Sequence, residues 1–109
     1  EGATGAEASY DRANPGVAKL QETYKSRTGK DLPYLTYMTT TYDGVYLLKE
    51  ALEAVGEDTE KIRDYLYGVK DRKGLSGSLT IDPNGDPLAG HVLRAVKGGT
   101  VEDYTLSSE

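Results

Sequence analysis

The chain has 109 residues, nine of them tyrosine, with no cysteine, phenylalanine or tryptophan, and 18 acidic against 13 basic side chains give a formal charge of −5. That length allows at most one small domain, which buries only part of its surface. Interspersed charges of both signs lack the clustered Lys and Arg that nucleic acid or an acidic membrane surface demands, and without cysteine there is no disulfide framework, thiolate metal site or cysteine nucleophile.

Residues 1–9, EGATGAEAS, are small and read as a flexible linker or an extended crossing segment. Asn14-Pro15 then starts a helix, Asn as N-cap and Pro at the first helical position. Val17, Leu20 and Tyr24 fall on one face, and Gly29 provides the stop. A tyrosine- and threonine-dense stretch, Tyr34 to Tyr42, leads into a second helix predicted from about Thr41 to Val55. Val45, Leu48, Leu52 and Val55 form its inward stripe, Asp43 suits the positive end of the dipole in its first turn, and Gly56 closes it. A third helix is predicted over Thr59 to Tyr67, with Ile62 and Leu66 inward and Gly68 at its end.

Beyond it the period changes to two. Leu75, Gly77, Leu79 and Ile81 alternate with Ser76, Ser78 and Thr80 as a strand. In the turn Asp82 to Pro87, Asn84-Gly85 offers the two positive-φ positions of a tight hairpin. His91 to Lys97 reads as the next strand, and Gly98-Gly99 turns it into Val101–Thr105. The expected class is therefore α/β, two to three helices followed by antiparallel strands, without a βαβ repeat. Leu, Ile and Val together number 21, just under the fifth of a chain below which charged sequences tend to disorder. Such a thin core fits a chain that is part of something larger. No apolar run approaches bilayer length.

Four motifs in series carry a resemblance: SYDRANP at residues 9–15, KSRTGK at 25–30, PYLTYMTTTYDGVYLL at 33–48 and GLSGSLTIDPNGD at 74–86. Together they resemble the C-terminal part of type I periplasmic binding proteins, the leucine/isoleucine/valine-binding receptors of ABC transporters. The likeness runs from Glu1 to about Val101, yet the chain is far too short for a whole receptor, which has two α/β lobes joined by three crossing strands. The resemblance thus implies a fragment of that two-lobe fold. Glu1–Ala8 would be the second crossing segment, and Tyr10 to about Ile81 would complete the N-terminal lobe. Leu88–Val96 would be the third crossing, with the remainder to residue 109 returning to the other lobe.

In this family the loop before the long helix lines the ligand cleft with an aromatic ring, and Tyr37 matches that position. Thr39, Thr40 and Tyr42 are its neighbours as ligand-contact candidates, with ordinary helix packing as the competing reading, above all for Tyr42. The family's main ammonium- and carboxylate-binding residues have no counterpart here.

Other constellations dissolve on inspection. Asp82-x-Asn84-x-Asp86 opens like a calcium loop, but Pro87 stands where Gly is needed and Leu93 where the bidentate Glu belongs. His91, the lone histidine, has no second ligand at useful spacing, and Gly74-Leu75-Ser76-Gly77 is not a nucleophile elbow. The acid pairs Glu50/Glu53 and Glu57/Asp58/Glu60 read as solvated helix faces and ends. No nucleophile, base and orienting group can be assembled, so neither an enzyme nor a cofactor is expected.

The resemblance implies an extracytoplasmic, periplasmic solute-binding component, closing two lobes by a hinge on an amino acid or small carboxylate and meeting a membrane permease. Any export signal would lie upstream of Glu1. The alternative is a stand-alone interaction module whose exposed strand edges would make it dimerise or exchange segments.

Overall fold

Local signals account for the helix ends. In the computed structural model, which describes residues 1–106, α1 spans Pro15–Thr28. Asn14 Oδ1 accepts from the Gly16 amide at 2.9 Å, and Gly29, at φ 70°, closes the last turn onto Lys25. In α3, Thr59–Tyr67, the Asp58 carboxylate accepts from the amides of Glu60 and Lys61. Between them lies α2, Leu35–Val55, which begins six residues earlier than the sequence predicts. The threonines read as leading into the helix belong to it, and three in succession turn their hydroxyls back onto it. Thr39 bonds Leu35 O at 2.8 Å, Thr40 bonds Thr36 O at 2.9 Å and Thr41 bonds Tyr37 O at 2.9 Å. With those donors satisfied locally, the usual competition between Thr side chains and the helical backbone is muted. Asp43 is consequently two turns into the helix rather than in its first turn.

The strands are β1 Thr4–Ala8, β2 Arg72–Gly74, β3 Gly77–Ile81, β4 Pro87–Leu88, β5 His91–Lys97 and β6 Thr100–Asp103. They form two three-stranded antiparallel sheets, ordered β1-β5-β6 and β2-β3-β4, so the chain is mixed α/β. The opening segment is a strand, with Ala6 opposite Leu93 on β5. The strand expected from Leu75 instead starts at Gly77. Leu75-Ser76 is the two-residue turn of an unforeseen hairpin, Gly74 paired with Gly77. The turn after β3 leads into the short β4, and β5 joins the other sheet, so the two predicted strands are not partners.

Nor does Asn84 adopt a positive φ; only Gly85 does, at 91°. The turn is organised by Asp82, whose carboxylate accepts from the amides of Asn84 and Asp86 at 2.8 and 2.9 Å, an arrangement that needs a single left-handed residue. Gly98 and Gly99, both at positive φ, do make the tight β5–β6 turn, and β6 ends at Asp103 rather than Thr105. The end of the predicted C-terminal segment, residues 107–109, lies outside the described residues.

The core is small: Val17, Leu47, Ala51, Val69, Leu75 and Ala95, with Thr39 and Asp43 buried among them. The stripe predicted to face inward is largely open, Val45 at 64% and Leu48 at 50% exposure, with Leu52 also exposed. The helix buries Thr39, Asp43, Leu47 and Ala51 instead. Apolarity alone pointed to the wrong face because part of what meets the closed face, the turn of the β2–β3 hairpin, presents backbone amides to be satisfied. The molecule is flat, 52 × 43 × 19 Å, with a radius of gyration of 16.8 Å. A compact chain of this length would have about 13 Å.

Candidate functional site

The start of α2 is where exposed aromatic surface and open backbone donors coincide. Tyr34 precedes the helix in the left-handed conformation, φ 51°, unusual for a bulky residue and most often retained where a chain must be held in one shape. Among the described residues no side chain caps the helix, so its first amides and the positive end of its dipole are available to a partner. Tyr34 and Tyr37 are 76% and 71% exposed. Such a surface can stack an apolar group on a ring and offer N–H groups to a carboxylate.

The four candidates do not gather. Thr40, three residues after Tyr37 and on the same side, is exposed, its hydroxyl donated to Thr36 O. Thr39 is fully buried, its hydroxyl shared between Leu35 O and Thr36 O, so it packs the helix within this chain. Tyr42 lies about 140° round the helix from Tyr37. Its ring stacks on Tyr46, centroids 4.6 Å apart, beside a groove against α1 lined by Gly16, Lys19 and Leu20. The hydrogen bond with Tyr46, then burial, pushes the Tyr42 phenol above its ordinary pKa. Tyr34 was missed by sequence reasoning. Its signal was present, an aromatic one turn ahead of Tyr37, but nothing local announces a left-handed tyrosine.

Behind this surface, polar contacts fix α2. Asp43 Oδ1 accepts from Leu75 N at 2.9 Å, and Oδ2 accepts from Ser76 N at 2.7 Å and from the Ser76 hydroxyl. Two turns further, Glu50 takes a bidentate pair from Arg72 Nε and Nη2 at 2.8 and 2.7 Å. That hydrogen bonding holds the Glu50 carboxyl below its ordinary pKa and raises the Arg72 guanidinium. Arg72 Nη1 is buried with no partner. Around this pair a cavity of about 530 Å³ opens between α2, α3 and β2, bordered by Tyr65, Val69 and Lys70. In the other sheet Arg94 stands between Glu7, 2.8 Å away, and Asp103, so one cation ties β1, β5 and β6 together. Among the described residues no three His, Asp or Glu side chains are grouped to hold a metal, and no helix is long and apolar enough to cross a membrane.

Three helices with these two antiparallel sheets match part of the fold of substrate-binding proteins of ABC transporters for branched-chain amino acids. The leucine-binding protein LivK of Thermotoga maritima matches at 32% identity with a TM-score of 0.73, over 96% of this chain and 30% of its own. An ABC transporter substrate-binding protein of Desulfitobacterium hafniense, solved in complex with leucine, matches at 25% identity and TM-score 0.68, over 95% of this chain and 31% of its own. LivJ of Streptococcus pneumoniae, solved with isoleucine, shares the fold at 18% identity and TM-score 0.70, over 91% of this chain and 28% of its own. The chain thus spans about three tenths of the length of these proteins. No protein-family model and no curated protein matches it. The resemblance carried by the four motifs is the one the solved structures display.

Proposed function

We propose that this chain is part of an extracytoplasmic solute-binding receptor of an ABC importer, which takes up a branched-chain amino acid or similar small zwitterion without chemical conversion. The observation that carries the reading is the match to a leucine-binding protein over nearly the whole chain, with Tyr37 left exposed at an uncapped helix start. Tyr37 stacks on the ligand, Thr40 and Tyr34 flank it, and the opposite wall of the cleft comes from elsewhere in the receptor. Thr39 and Tyr42 support the helix from behind. The pairing of β1 with β5 supports a role for both as crossing strands between lobes, residues 10–81 completing one lobe. Ligand touching both lobes favours the closed state in proportion to its extra contacts there, and the closed form is what a membrane permease would meet.

Calorimetric titration of the full-length receptor with leucine, isoleucine, valine and small carboxylates tests this. Leucine or one of its relatives should bind, and Tyr37→Ala should raise Kd about tenfold, the worth of one stacked aromatic contact. The exposed ring leaves the melting temperature nearly unchanged. A folded receptor that gives no heat with any of these compounds ends the amino-acid reading. The open face of Val45, Leu48 and Leu52 favours a second reading, a self-associating module. Light scattering that finds a cooperative, monomeric 109-residue chain counts against it.

A further inference from the structure

The turn Leu75-Ser76 is where separate parts of the chain meet. Asp43, halfway along α2, takes both its amides and the Ser76 hydroxyl. The Leu75 carbonyl accepts from the Asp11 amide at 2.9 Å, just beyond the end of β1. The buried Leu75 side chain presses on the first turn of α1, where a methyl added at Gly16 would come within 2.6 Å of Leu75 Cδ2. Gly74 completes the fit, because a Cβ there would collide with the Asp43 carboxylate.

We propose that Asp43 is a positioning residue for ligand binding: through the Leu75-Ser76 turn it makes the helix that carries Tyr37 and the chain leaving β1 move as one body. Its functional half rests on the solute-binding reading; the mechanical half does not. A carboxylate that accepts from two successive amides fixes the direction as well as the distance of the turn, and bonds to a charged acceptor are stronger than neutral ones. The carbonyl of that same turn holds Asp11, and β1 is laddered to β5 along its whole length. Any tilt of α2 that follows contact at Tyr37 therefore pulls on the strands, and strand movement is returned to the ring.

Amide hydrogen exchange on the full-length receptor, without ligand, reads the joint. In Asp43→Asn, which keeps the size but loses the charge and one acceptor, protection should fall about tenfold at Leu75, Ser76, Asp11 and along β1. Ser76→Ala keeps both backbone bonds and should show the same pattern at a few-fold, which covers the case in which Asp43→Asn does not fold. Leu47→Ala, one turn along the same helix and away from the turn, supplies the uniform loss expected of general destabilisation. Loss confined to residues 75 and 76, or no different in pattern from Leu47→Ala, overturns the joint. In the full-length receptor Ser76→Ala should raise Kd for leucine about threefold; unchanged affinity beside coupled exchange overturns the positioning role. Should the unmutated receptor bind no amino acid, the solute-binding reading falls, and exchange still decides the joint.

Discussion

The two sides of α2 invert the usual expectation. One side carries Thr39 and Asp43 among its closed positions; the other carries Tyr37, Val45, Leu48 and Leu52 and stands open. Part of the closed side meets a hairpin turn that needs acceptors, so at Asp43 a carboxylate serves better than a methyl group. The open side is continuous with the exposed tyrosines of the helix start, an apolar stripe with no element among the described residues lying over it. What a helix buries is set by what is available to cover it, and hydrophobic spacing identifies only a face that wants covering.

The sharpest way to break this comparison is to remove the acceptor from the closed side. Asp43→Ala strands two amides and a hydroxyl in a buried turn and should cost about 3 kcal/mol in urea unfolding. A loss below about 1 kcal/mol would mean that the polar contacts do not hold that side. Next in size, Gly74→Ala forces a methyl into the same carboxylate and should cost about 2 kcal/mol, with Asp43→Ala in the same chain relieving part of it.

The Glu50–Arg72 pair is smaller. Its glutamate is 41% exposed, which limits Glu50→Gln to about 0.5 kcal/mol. The sign follows from the depressed carboxyl: stabilisation is complete above the ordinary 4.5 and drains away as pH falls through the lower folded value. Thermal unfolding between roughly pH 3 and 6 should therefore show a shallower acid limb in Glu50→Gln. Smallest of all, Leu48→Glu on the open side should alter stability by no more than about 0.5 kcal/mol. It should also reduce any self-association seen by light scattering, and a large loss of stability would show that the open side is covered after all.

What local chemistry could announce, the sequence announced. Asn14-Pro15, Gly29 and Gly68 mark helix ends with groups only a few residues from the backbone they serve, and Gly98-Gly99 does the same for the β5–β6 turn. Four motifs in order were enough to point to the right kind of protein. Tyr37 could be singled out through that resemblance, whereas Tyr34 needed its backbone conformation to be seen. The start of α2 was misplaced because the dense threonines were read as the stretch leading into the helix, and only the helix itself supplies the carbonyls that absorb those hydroxyls.

Apart from the start of α2, helix ends, turn glycines and the stripe that seeks a partner were therefore settled by the order of residues, since each depends on neighbours within a turn or two. The side of α2 that closes, the hairpin at Leu75-Ser76 and the assignment of β3 and β5 to different sheets were decided by tertiary structure alone. The bonds that tie the closed side of α2 to that turn join residues 32 and 33 positions apart, Asp43 to Leu75 and Ser76. At that separation a carboxylate on a helix looks the same whether it faces water or a row of buried amides.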